Sequence, residues 1–137
     1  MALKRLGIVD LVAAIQKRIE TTGKRAYDHV PMNAESPFYF VEVVQQRPAN
    51  SKTMYREIYT VWVHCIAKAE DNGSSVGINN LIQDLQEAMT EDINLPEHYI
   101  LIMQTDAGLQ SKQTDETGEH HAVCVFEFMV SYGFMTK

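Results

Sequence analysis

Residues 53–68 read Thr-Met-Tyr-Arg-Glu-Ile-Tyr-Thr-Val-Trp-Val-His-Cys-Ile-Ala-Lys. The run is rich in β-branched and aromatic side chains and holds no glycine or proline, which is the composition of a strand. Strand side chains alternate between faces. Tyr55, Glu57, Tyr59, Val61, Val63, Cys65 and Ala67 therefore share one face, and Met54, Arg56, Ile58, Thr60, Trp62, His64 and Ile66 share the other. Both faces are partly apolar near the centre, as expected of an interior strand or of one whose second face meets a partner.

Upstream, Phe38-Tyr-Phe-Val-Glu-Val-Val44 has the same character, and Arg47-Pro-Ala-Asn-Ser-Lys52 forms a turn, so the two runs predict a hairpin. Pro31 and Pro37 bracket a polar connection before it. Further back the period changes from two to 3.6. Leu6, Ile8, Leu11, Val12, Ile15 and Ile19 fall on one helical stripe, which predicts a helix near Leu6–Thr21 closed by Gly23. Downstream, Glu70-Asp-Asn-Gly-Ser-Ser75 is a breaker, with Ser74 or Ser75 able to cap a helix after it. Val76, Ile78, Leu81, Ile82, Leu85 and Met89 then predict that second helix, Val76–Thr90. Tyr99–Met103 reads as a third strand and Ala122–Tyr132 as a fourth, separated by a polar segment, Thr105–Glu119. The expected fold is α+β: a two-layer sandwich of a mainly antiparallel four-stranded sheet and two main helices, in the order α-β-β-α-β-β. Residues 1–137 are expected to form a single domain.

The chain has 137 residues, 45% of them apolar and 22% charged, and a formal charge of −6. That is enough for one core without a metal or disulfide staple. No apolar run approaches a spanning helix, and the first twenty residues are amphipathic rather than signal-like, so the chain is expected to be made and kept in a cytosol. The acidic balance and the lack of a basic stripe argue against a surface that tracks phosphates.

Chemistry is sparse. His120 and His121 are adjacent on a predicted strand, so their rings face apart and cannot easily share one ion. The same geometry separates His64 from Cys65. Cys65 and Cys124 are expected to be buried thiols rather than nucleophiles or a disulfide. Asp71-Asn-Gly73 lacks the ligand spacing of a calcium loop, and Gly73-Ser-Ser-Val-Gly77 lacks the ending of a phosphate loop. Glu87, Glu91 and Asp92 form an acidic, solvated face. Tyr55, Tyr59 and Trp62 suit sheet packing better than base stacking, since only Lys52 and Arg56 lie near them. Neither catalysis nor a cofactor or metal is expected.

Four segments carry a family resemblance: Pro37-Phe-Tyr-Phe-Val-Glu-Val43, Tyr59-Thr-Val-Trp-Val-His-Cys65, Ile78-Asn-Asn-Leu-Ile-Gln-Asp-Leu85 and Cys124-Val-Phe-Glu-Phe-Met-Val130. With the layout of the whole chain, they resemble the tail terminator or tail-completion proteins of long-tailed bacteriophages, and most the version from phages and prophages of Gram-positive bacteria. The resemblance implies a virion protein without cofactor, assembled in the host cytoplasm and seated at the head-proximal end of the tail. It implies a homo-oligomeric ring, a hexamer, that caps the tail tube protein, ends tube growth and meets the head completion or connector protein. DNA would pass through without specific binding, and Glu87, Glu91, Asp92, Asp115 and Glu116 are candidates to line an acidic bore. The polar stretches Gln46–Thr53 and Thr105–Glu119 are expected to be loops, mobile in the free chain and ordered on assembly. Arg47, Lys52, Arg56, Gln110, Lys112, Gln113, Asp115 and Glu116 are the candidate assembly-interface residues. A small-ligand or regulatory binding module, and an enzyme with a site between subunits, are the alternative classes.

Overall fold

The computed structural model describes residues 2–30, 32, 35–68, 74–114 and 118–135. Helix α1 spans Ile8–Ile19, followed by a 3-10 turn at Glu20–Thr22. Strand β1 is Ala26–Tyr27, β2 is Phe38–Pro48 and β3 is Met54–Lys68. Helix α2 is Val76–Ala88, β4 is Ile100–Thr114 and β5 is Glu119–Phe134. The strands form one sheet in the order β1-β2-β3-β5-β4.

The architecture is α+β with two helices, as the periodicities predict, but the sheet has five strands and is mixed. Ala26 and Tyr27 pair in parallel with Tyr39 and Phe40, while all other pairings are antiparallel. A two-residue strand has no period to read. The larger correction concerns the polar segment after Met103. Most of it is strand, because β4 continues to Thr114 against β5. Likewise β2 runs to Pro48, so only the last part of the expected Gln46–Thr53 loop connects the hairpin.

One face of the sheet carries both helices. Tyr39, Val41, Tyr59, Val61, Val63, Cys65, Ala122, Cys124, Phe126, Phe128 and Val130 are buried there. Against them pack Leu11, Ile15 and Ile19 of α1 and Ile78, Leu81 and Leu85 of α2. Full burial of each such aliphatic side chain stabilises by about 1.5–3 kcal/mol. Helix α1 gives way at Glu20 to the 3-10 turn, and that turn ends where Gly23 takes φ 89°, its N–H donating to the Glu20 carbonyl, the left-handed stop read from the sequence. At the start of α2, Ser74 Oγ accepts from the Val76 N–H.

Two buried tyrosines fasten the helical layer. Tyr39 Oη donates to the Leu81 carbonyl at 2.6 Å, and Tyr59 Oη donates to the Leu6 carbonyl at 2.7 Å. Burial pushes the Tyr59 phenol up to about 12 and raises Tyr39 further. Unfolded tyrosine ionises near pH ~10. Because the folded values lie higher, this stability is fully present below pH ~10 and is lost as pH rises from there towards 12 and beyond. Denaturant melts across that alkaline range should show the decline, and Tyr59→Phe should flatten part of it while costing about 1 kcal/mol at neutral pH.

Candidate assembly surfaces

The outer face of the sheet, away from the helices, presents Phe40, Glu42, Trp62, His64, His121 and Glu127. Here the strand register joins residues that are far apart in sequence. Nδ1 of His64 lies 2.9 Å from Nε2 of His121, and Nε2 of His64 lies 2.9 Å from Oε2 of Glu42. A His64 that donates from Nε2 to the carboxylate keeps a lone pair on Nδ1, and His121 then donates to it. Phe40 stacks on the His64 ring at 4.9 Å. His64 uses both ring nitrogens and stands between its partners, so the three side chains do not converge on one point. No group of three or more His, Cys, Asp or Glu able to hold a metal occurs among the described residues.

His120 faces the other way, as strand alternation requires. It is buried, with Nδ1 2.8 Å from Thr114 Oγ1. The expected separation of His120 from His121 therefore holds. What the sequence reading missed is the pairing of His121 with His64. Both cysteines are free and buried. The hydrogen bond shared with Cys124, together with burial, pushes the Cys65 thiol far up, which suits packing and not nucleophilic attack. Tyr55, Tyr59 and Trp62 do not form a stacking platform: Tyr59 is in the core, Tyr55 lies beside Tyr132, and Trp62 lies on the outer face beside His64.

The candidate interface residues separate into two groups at opposite ends of the strands. Arg47, Lys52 and Arg56 lie at the β2–β3 turn. Arg56 Nε donates to the Ala49 carbonyl at 2.8 Å, and Arg47 Nη2 reaches Glu127 Oε2 at 3.4 Å. Gln110, Lys112 and Gln113 lie at the far end of β4, where Lys112 Nζ donates to Asn79 Oδ1 at 2.6 Å and ties the strand to α2. Asp115 and Glu116 lie outside the described residues. Of the acidic candidates, Glu91 pairs with Arg18 Nη1 at 2.9 Å, and Glu87 accepts from Gln83 Nε2 at 3.2 Å.

The N-terminal segment is strapped across the β2–β3 turn end of the helix-bearing face. Glu57 is only 2% exposed, and Arg5 Nε meets its Oε1 at 2.8 Å. Tyr99 Oη donates to the Arg5 carbonyl at 3.4 Å, and the Arg5 guanidinium lies 5.9 Å from the centre of the Tyr132 ring. The hydrogen bond to Tyr132 and the Glu57 charge raise the Arg5 pKa.

A family described as "Putative tail termination protein" matches residues 2–137. The chain belongs to this family of phage tail terminators. Membership gives it a structural role in the phage tail, as a virion component. Among curated proteins none matches it. Among solved structures, the fold is similar to that of a chain in "Virion of native gene transfer agent (GTA) particle", with 15% identity and a TM-score of 0.73, over 90% of this chain and 96% of that one. In this member of the terminator family His120 and both cysteines pack in the interior, while Glu42, His64 and His121 form a hydrogen-bonded row on the outer face.

Metal analysis after dialysis tests the histidine pair. The protein should carry no stoichiometric zinc. Zinc at one per chain, lost in His121→Ala, would contradict the reading of His64 and His121 as a hydrogen-bonded pair.

Proposed function

We propose that copies of this chain form a closed ring on the end of the tail tube, stop its growth and offer the opposite surface to the head connector. Membership of the terminator family over residues 2–137 is the observation that carries this reading. A six-fold ring is what the family resemblance implies, and the whole chain acts as one unit within it.

The layout of polar residues supports two distinct partners. One group, Arg47, Lys52 and Arg56, sits at one end of the strands, and the other, Gln110, Lys112 and Gln113, sits at the opposite end. A ring with its strands near the axis direction would turn one group towards the tube and the other towards the head. DNA would then pass along the axis without specific binding. With −6 per chain, a bore lined by part of that charge repels phosphates.

The reading is tested in a phage lacking the chain. Its tubes should overrun their normal length and its heads should remain tailless, and purified protein added to the lysate should restore joined particles. Tails of normal length, attached to heads without the chain, would reject the function.

A further inference from the structure

Among the described residues the two ends of the sheet are both open, and they differ in kind. Strand β1 reaches only Tyr39 and Phe40 of β2. The Tyr39 N–H donates towards β1, to the Arg25 carbonyl. Alternation therefore aims the backbone groups of Val43 outward too, and no strand lies beside them among the described residues. Between this edge and α1 runs a groove of about 400 Å³ lined by Ile8, Val9, Val12 and Val43 and also by the acidic Asp28 and Glu42. Val9 is 82% exposed at its mouth.

At the other end, β4 has β5 as its one partner strand among the described residues. The registers place Val41 opposite Val63, Val63 opposite Cys124, and Cys124 opposite Leu109. Leu109 thus stands at the level of Val41 and on the same face, and it is 47% exposed. Between two irregularities, Met103–Asp106 runs in unbroken register with β5, and Asp106 stands level with Val43. The segments that carry the two edges differ in net charge, although Arg18 of one is paired with Glu91 of the other within the same copy. Residues 2–30 carry six Lys and Arg against three Asp and Glu, a net +3. Residues 76–114 carry one Lys against six Asp and Glu, a net −5. Three successive antiparallel pairings also leave β2 and β4 running in opposite directions.

We propose that the partner at this groove is a second copy of the chain, which docks its β4 edge along β2 and seats its Leu109 among Ile8, Val9 and Val12. The inference rests on the ring reading and specifies its junction. The junction is heterologous: each copy uses its groove for one neighbour and its β4 edge for the other, as a closed ring requires. The directions of β2 and β4 continue the antiparallel alternation across it, and a segment of net positive charge, residues 2–30, is brought towards one of net negative charge, residues 76–114, on the next copy. The bulges of β4 restrict strand pairing to the Met103–Asp106 stretch and blunt the edge against indiscriminate pairing.

The test uses Val9→Glu and Leu109→Glu in the full chain, with mass in solution measured alone and with tail tubes. Both positions are exposed, so thermal melts should match wild type; Leu109→Ser replaces Leu109→Glu if the latter fails to fold. Wild type should form rings, free or on tubes, and each variant alone should not. At protein concentrations high enough to populate a single weak junction, an equimolar mixture of the variants should stop at pairs, because Val9→Glu keeps its β4 edge and Leu109→Glu keeps its groove. Rings from either variant at wild-type yield, or a mixture without pairs, would overturn this junction while leaving the ring standing. No wild-type ring under any of these conditions would overturn the ring and the junction together.

Discussion

The pairing of β3 with β5 is the constraint on which the rest of the molecule depends. The register runs from Met54 opposite Phe134 to Lys68 opposite Glu119, with one irregularity near Tyr55. It decides which alternate set faces the helices. A slip of one residue would carry Trp62, His64 and Glu127 inward and turn Val61, Val63 and Phe126 out. It also sets the height of Tyr59, whose hydroxyl holds the Leu6 carbonyl, and of Glu57, which meets Arg5. A carboxylate 2% exposed is costly to bury unless paired. The N-terminal strap is therefore a consequence of the central ladder and not a loose end added to it.

The same ladder explains what could be read from the chain and what could not. Helices α1 and α2 and the inner halves of β2, β3 and β5 are legible because each has one face fully covered, and coverage imposes a period. Strand β4 is different. It has a partner on one side only, and its register shifts near Leu101, Asp106 and Leu109. Each shift breaks the alternation of two, so Thr105–Thr114 carries the polarity of a loop while having the hydrogen bonding of a strand. Strand β1 escapes because two residues make no pattern. The contact between His64 and His121 was hidden for a third reason. It depends on a register between strands 57 residues apart, and neither residue signals it locally.

Magnitudes help to separate the roles of charge and apolar contact at the sheet ends. Exposed ion pairs contribute about 0–1 kcal/mol each and weaken with salt. The segments of net charge +3 and −5 would therefore do more to orient two copies and speed their encounter than to hold them together. Burial of a leucine in an apolar groove contributes about 1.5–3 kcal/mol, and backbone pairing along an edge adds to it. One such junction is weak against the entropy lost on association. Closure of a ring changes the balance, because the last subunit makes two junctions for one loss of freedom.

A weak junction suits a protein of this family. Junctions strong enough to close rings in free solution would remove subunits before any tube had finished growing. In the proposed ring, weak junctions would leave the chain free until a tube end gathers several copies, raising their effective concentration. Lys52 and Arg56 at one strand end and Lys112 and Gln113 at the other are not among the residues lining the β2 groove and lie beyond the stretch Met103–Leu109. If the proposed ring forms, they would be free to engage tube and head without competing with the neighbour, the sheet edges carrying the ring and the strand ends carrying the tail.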